Sequence, residues 1–90
     1  MDLTVQVTPE LAPALRHEAP ATERARAIEK TVQAAGLGLR PLHSGTTDAT
    51  LSRYFAVDVP DAATAQRIAH ELLGLDGVEA AYVKPPDALP

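Results

Sequence analysis

Residues 51–86 read LSRYFAVDVPDAATAQRIAHELLGLDGVEAAYVKPP, and the fold is decided here. The first nine residues, 51–59, follow the apolar and polar alternation of a half-buried strand and predict the longest strand of the chain. Arg53 falls on the buried side of this strand, so we expect it near the strand end with its guanidinium reaching water, or beside a bulge. The core-facing set is Phe55, Val57 and Val59, and the opposite face carries Ser52, Tyr54, Ala56 and Asp58.

A helix and a final strand complete the stretch. Asp61 is a suitable helix cap after Pro60, and apolar residues at 65, 68, 69 and 72 recur at helical spacing up to Gly74. Residues 78–83, VEAAYV, predict the last strand. The prolines that follow offer no backbone donor, so we expect a stiff tail at residues 85–90 that adds no further strand.

The first half of the chain predicts the same order of elements. Residues 3–8, LTVQVT, alternate at period two and predict a strand that ends at Pro9, with Leu3, Val5 and Val7 in the core. A loop interrupted by prolines follows, with one helical turn near residues 10–15. A helix is then expected at residues 22–35, capped by Thr22 and ended by Gly36.

A short strand and a polar connection join the two halves. Residues 39–43 predict a strand, and Pro41 within it favours an edge position, because a central strand needs the missing N–H. Residues 44–50 predict a hairpin connection. The full order is therefore strand, helix, strand, strand, helix, strand.

This order predicts an α+β fold, the ferredoxin-like βαββαβ sandwich, with a four-stranded antiparallel sheet and two helices on one face. The domain would span residues 1–84. The second face of the sheet would then lack a protein layer and meet water or a binding partner. Its expected members are Thr4, Gln6, Tyr54, Ala56, Asp58, Ala80 and Tyr82.

Composition limits the possible functions. Ninety residues suffice for one small core, without a cofactor-sized interior cavity, and we expect no cofactor. A net charge of −4 argues against nucleic acid, and the absence of cysteine excludes thiolate metal sites. No apolar run reaches membrane-spanning length. The start lacks the features of a signal peptide, which favours the cytoplasm.

Catalysis by the chain itself is not expected. The three histidines, His17, His43 and His70, fall in a loop, an edge strand and a helix, without the spacing of a zinc site. Ser44 and Ser52 lack a nucleophile-elbow context. We therefore expect a binding protein without a metal site or catalytic residues.

Two segments carry a resemblance to a known family. Residues 54–59, YFAVDV, and residues 72–85, LLGLDGVEAAYVKP, resemble the C-terminal half of the N-terminal prodomain of subtilisin-like serine proteases. This family includes free-standing propeptide-like inhibitors. The likeness covers residues 51–86, whereas the first half agrees only in its order of elements.

The resemblance implies an inhibitor and folding chaperone. Such a domain packs its sheet on two surface helices of the protease and passes its extended C-terminal segment through the substrate cleft. The partner would be a subtilisin-like serine protease, bound in trans or as the source of an excised prodomain. The expected contact residues are Tyr54, Ala56, Asp58, Ala80, Tyr82, Lys84, Pro85, Pro86, Asp87, Ala88, Leu89 and Pro90.

The tail suits a cleft for physical reasons. Pro85 and Pro86 favour extended geometry, and an extended segment can pair with a cleft edge by strand addition. Residues 84–90 reach at most about 24 Å, enough for several subsites. Leu89 is the apolar candidate for the pocket nearest the reacting centre, and Pro90 after it would resist cleavage.

Four alternatives remain open from the sequence alone. The two tyrosines could simply cover a solvated sheet face, or a register shift could bury Tyr82. The tail could be a terminus without fixed structure. The domain could also be a regulatory module that pairs its sheet or edge with a second copy, whereas an inhibitor would be a monomer or weak dimer when free.

Overall fold

The alternating segments form one antiparallel sheet in the computed structural model, which describes residues 2–43, 48 and 51–83. Three helices and a short 3₁₀ helix connect the strands. In chain order the elements are β1 (Asp2–Val7), α1 (Ala12–Leu15), α2 (Glu23–Ala34), β2 (Leu39–Pro41), the 3₁₀ helix (Leu51–Arg53), β3 (Tyr54–Asp58), α3 (Ala62–Leu73) and β4 (Val78–Val83).

The sheet has the strand order β2-β3-β1-β4, and every neighbouring pair is antiparallel. β1 and β2 are therefore parallel to each other with β3 between them, and β3 and β4 are parallel with β1 between them. Each half is thus a βαβ unit split by one strand of the other half. The predicted ferredoxin-like α+β fold is confirmed.

The core lies between the helices and one face of the sheet. Leu3, Val5 and Val7 of β1 and Phe55 and Val57 of β3 have no exposed surface. They form one cluster with the apolar stripes of the two long helices, which confirms the predicted helix packing. The buried helix residues are Ala25, Ile28 and Val32 in α2 and Ala65, Ile68 and Leu72 in α3.

Both long helices begin at the predicted caps. The Thr22 side chain accepts a hydrogen bond from the Ala25 N–H in α2. The Asp61 carboxylate accepts from the Thr64 N–H at 2.7 Å in α3, and this bond is the main reason why the pKa of Asp61 lies below its ordinary value. Asp61 is therefore engaged in its own helix.

The two helix ends before β2 use the same hydrogen-bond motif with different residues. After α2, Gly36 has φ +77° and its N–H and that of Leu37 bond back to the last turn. After α1, His17 occupies the equivalent position with φ +62°, and the His17 and Glu18 N–H groups bond to Ala14 and Pro13. A residue with a side chain, such as His17, carries a conformational cost in this left-handed backbone conformation, and Gly36 avoids that cost.

The predicted strand at residues 51–59 is wrong over its first three residues and at Val59, because β3 spans only Tyr54–Asp58. Residues 51–53 form the 3₁₀ helix, and β3 has five residues, whereas β1 and β4 have six each. Asp48 explains the difference: its side chain accepts from the Leu51 N–H at 3.0 Å and its carbonyl from the Ser52 N–H. Such local bonds give the backbone an alternative to strand pairing.

Arg53 lies just before β3, as expected for a residue near the strand end. Its Nε donates to the Val7 carbonyl at 3.1 Å, and its guanidinium forms an ion pair with the Glu79 carboxylate. The pairing of β1 with β4 shifts register between Gln6 and Val7, which places Glu79 at a β-bulge. Arg53 therefore joins three strands at one end of the sheet.

β2 lies at a sheet edge, as Pro41 predicts, but it is shorter than expected and spans Leu39–Pro41. Of the predicted connection at residues 44–50, only Asp48 lies within the described residues. The predicted helical turn near residues 10–15 is confirmed as α1.

Candidate functional site

The strand register brings ten side chains to the sheet face opposite the helices, which we call the open face. Residues directly opposite in antiparallel strands share a face. One row runs across the sheet through Leu42, Tyr54, Gln6 and Ala80, and the next through Arg40, Ala56, Thr4 and Tyr82. Asp58 and Asp2 form a third row at the end of the sheet.

The centre and the rim of the open face differ in exposure. Ala56 and Thr4, on the two central strands, are 0% and 7% exposed, whereas Tyr82 on β4 is 50% exposed. Leu42 at the opposite side is 38% exposed. The large side chains at the rim are thus the groups that an incoming protein would touch first.

Tyr54 is partly buried and held by a neighbour. The ring of His43 meets the Tyr54 ring edge-on, with centroids 6.3 Å apart and an interplanar angle of 90°. The His43 carbonyl in turn accepts from Arg16 at 3.4 Å, at the end of α1. Tyr54 is therefore a partly exposed aromatic residue in contact with a second ring, and tyrosine is common in protein interfaces.

Charge on the open face is concentrated at one end. Asp2 and Asp58 lie directly opposite each other, an arrangement that destabilises a sheet unless a cation is near. Arg40 supplies that cation, since its guanidinium lies 3.2 Å from the Asp2 carboxylate. These three groups carry a net charge of −1. Apart from Arg40 and the two tyrosines, the rows through Tyr54 and Tyr82 contain no ionisable side chain.

The structure brings five predicted contact residues together: Tyr54, Ala56, Asp58, Ala80 and Tyr82 share the open face. Tyr82 pairs with Thr4, so the register shift that would bury it does not occur. Ala56 has no exposed surface and forms the floor of the face, so it does not offer contact area itself. The other predicted contacts, Lys84, Pro85, Pro86, Asp87, Ala88, Leu89 and Pro90, lie outside the described residues.

Sequence reasoning missed three members of the open face: Asp2 on β1, and Leu42 and Arg40 at β2. The Leu42 N–H donates to the Tyr54 carbonyl at 3.0 Å, which continues the β2–β3 pairing by one residue and places Leu42 opposite Tyr54. Leu42 and Arg40 could have been found by extending the hairpin register from Pro41, because both must then lie on the face away from the core.

Grooves lie on the helical side of the domain. One groove, about 560 Å³, lies between α2 and α3 beside Lys30, Arg67 and Glu71, and a smaller one of about 250 Å³ lies beside His17 and Glu29. Among residues 2–43, 48 and 51–83, no three metal-ligating side chains come together. Within the same ranges, no helix is long and apolar enough to cross a bilayer.

The open face combines an exposed rim with a buried centre. It is broad, carries exposed aromatic and aliphatic side chains on its rim and has small side chains at its centre. Comparisons with family models, curated proteins and solved structures found no match to this chain.

Proposed function

We propose that the chain inhibits a subtilisin-like serine protease by packing its open face on the enzyme and placing residues 84–90 in the substrate cleft. The observation that carries the proposal is the open face itself. Tyr54, Ala80 and Tyr82, which belong to the segments that resemble protease prodomains, lie on this face, and no described helix packs on it.

The chemistry of the open face favours a protein partner. Tyrosine provides large contact area at a small entropic cost. Tyr54 is the next residue along β3 on the same face as Ala56, and Tyr82 lies opposite Thr4. Asp2 and Asp58 lie at one end of the open face, and their negative charges repel the phosphate backbone of nucleic acids.

The second part of the proposal rests on the sequence of the tail. Residues 84–90 directly follow β4 in sequence, and Pro85 and Pro86 favour extended geometry for themselves and for Lys84. An inhibitor that is already extended loses less conformational entropy on entering a cleft. Leu89 would fill the pocket nearest the reacting centre.

The direct test measures hydrolysis of a chromogenic peptide by several purified subtilisin-like proteases as the chain is added. We expect tight, saturable inhibition of at least one enzyme. A variant ending at Lys84 should keep its circular dichroism spectrum and melting temperature and lose inhibition, because the open face alone leaves the cleft accessible to substrate.

A matched pair of variants tests the open face. Tyr82→Ala and Leu73→Ala each remove a large apolar side chain that is half exposed, at 50% and 51%, but Leu73 lies on α3. We expect Tyr82→Ala to raise the inhibition constant at least about tenfold, as for an interface hot spot, and Leu73→Ala to leave it unchanged. Equal effects of the two variants, or no inhibition of any enzyme tested, would contradict the proposal.

The associated folding role has a separate test. Refolding of a denatured subtilisin-like protease that lacks its own prodomain should give more active enzyme, after the chain is removed, when the chain is present during refolding. Inhibition without a gain in refolding would restrict the proposal to inhibition.

A further inference from the structure

The two edge strands of the sheet, β2 and β4, are protected to different degrees against pairing with a further strand. β2 is three residues long and contains Pro41, and both features prevent a further strand from pairing with it. β4 is six residues long, and neither proline nor glycine interrupts it. In the part of the chain that the structure describes, no strand pairs with the outer edge of β4.

β4 also lacks a charge that would repel another strand. Glu79 is its one charged residue, and the Arg53 guanidinium pairs with it at the bulge. The following residues, Ala80 to Val83, pair regularly with β1 and are uncharged. Natural edge strands usually carry lysine, proline, a bulge or an unpaired inward charge against strand addition. β4 has a bulge at Glu79, and the segment from Ala80 to Val83 beyond it has none of these features.

From this asymmetry we infer that β4 is a self-association edge, which pairs antiparallel with β4 of a second copy to form a continuous eight-stranded sheet. A second copy fits because antiparallel pairing of identical strands is isologous, so each subunit contributes the same residues. This inference does not depend on the proposed inhibition.

The side chains select a register for this pairing. The two open faces lie on the same side of the joined sheet only when opposite residues point to the same face. Because side chains alternate along a strand, the numbers of two opposite residues must then be both even or both odd. Pairing centred on Ala81 places each Tyr82 opposite Ala80 of the second copy, where an aromatic ring meets a small side chain. Val83 then lies opposite Glu79, so no two like charges face each other.

The association should be weak. A single strand of six residues spans about 20 Å, and such an edge buries less surface than the roughly 1,200 Å² of the smallest stable interfaces. We therefore expect the dimer to form only well above micromolar concentration. The chain is then a monomer at low micromolar concentration and a dimer near millimolar concentration.

The test combines sedimentation with isotope-filtered NMR on the full chain. Sedimentation velocity from 10 µM to 1 mM should show a reversible monomer–dimer equilibrium. In a mixture of labelled and unlabelled chains, intermolecular NOEs should connect the two copies of β4, with Ala81 near its counterpart and Tyr82 near Ala80. A monomer at 1 mM, or a dimer whose intermolecular NOEs come from Leu42 and Tyr54 instead, would overturn the inference.

A matched pair of charged variants gives a second readout. Ala80→Lys places a lysine at the pairing edge, whereas Gln66→Lys adds the same charge at an exposed position of α3. We expect Ala80→Lys to weaken dimerisation at least tenfold with an unchanged monomer spectrum, and Gln66→Lys to have less than a twofold effect. Equal weakening by both variants would mean that net charge, and not the edge, controls association.

Discussion

Substitution of Gly77 by alanine should be among the most damaging single changes to the fold. Gly77 lies in the turn between α3 and β4 with φ +94°, and its carbonyl accepts a hydrogen bond from the Thr8 N–H at 2.9 Å. A Cβ at this position would overlap Leu11 Cδ1 and lie 3.2 Å from Leu11 Cγ. Leu11 is 3% exposed and belongs to the core, so it cannot move away freely.

Two costs add up at this position. A left-handed backbone costs an L-residue about 1–2 kcal/mol, and overpacking a core costs about 1–3 kcal/mol. We therefore expect Gly77→Ala to lower the free energy of unfolding by about 2–5 kcal/mol. A domain of this size has a total stability of about 5–13 kcal/mol, so the variant should remain measurable or lie near the unfolding threshold.

Two other glycines separate the costs. Gly36 has φ +77° and no atom within 4 Å of the position that a Cβ would occupy, so Gly36→Ala should cost only the conformational part, about 1 kcal/mol. Gly38 has neither a positive φ nor a close neighbour, so Gly38→Ala should be neutral or stabilise by about 0.5 kcal/mol.

Urea unfolding followed by circular dichroism measures all three variants under one protocol. In a Leu11→Ala background the overlap is removed, and Gly77→Ala should then cost about as much as Gly36→Ala. The reasoning is refuted if Gly77→Ala costs no more than Gly36→Ala in the parent chain, or if removal of the Leu11 side chain leaves its cost unchanged.

Three further predictions concern helix ends. Thr22→Ala removes the acceptor for the Ala25 N–H and should lower the free energy of unfolding by about 1 kcal/mol in urea titrations, while Thr22→Ser should restore most of it. His17→Gly removes the cost of a left-handed backbone at an L-residue after α1, so it should raise the free energy of unfolding by about 1 kcal/mol in the same titrations. No gain in stability would mean that this helix end is not strained. The Asp61 pKa is lowered when folded, so its carboxylate stabilises the fold above the ordinary value of 3.8, and this contribution is lost as the pH falls through the folded pKa. Thermal melts of Asp61→Asn should therefore be below the parent at pH 7 and approach it under acid conditions, whereas a constant gap would contradict this assignment.

The elements with strong periodicity could be predicted from sequence. Leu3, Val5 and Val7 alternate without interruption, and the cap residues Thr22 and Asp61 each stand directly before an apolar stripe, so local pattern and tertiary packing agree. Pro41 similarly determined the edge position of β2, because a missing N–H has few tolerated locations in a sheet.

The errors arose where local hydrogen bonds compete with periodicity. Residues 51–53 continue the alternation of β3, yet Asp48 accepts hydrogen bonds from the N–H groups of Leu51 and Ser52 and favours a 3₁₀ helix there. The bulge at Glu79 is equally hard to predict. The Glu79 carboxylate pairs with Arg53, which is 26 positions away in the sequence, so no local pattern indicates this contact. The place of Leu42 on the open face, in contrast, follows from the alternation of side chains about Pro41 and could have been predicted from the sequence of β2.

The central claim is that the open face of the sheet contacts a subtilisin-like protease. The most direct measurement is NMR cross-saturation from an unlabelled, active-site-blocked protease to the deuterated, ¹⁵N-labelled chain in their complex. The proposal predicts signal loss at Gln6, Tyr54, Ala80 and Tyr82, with α2 and α3 unaffected. Signal loss confined to the helices, or absence of a complex with any such protease, would contradict it.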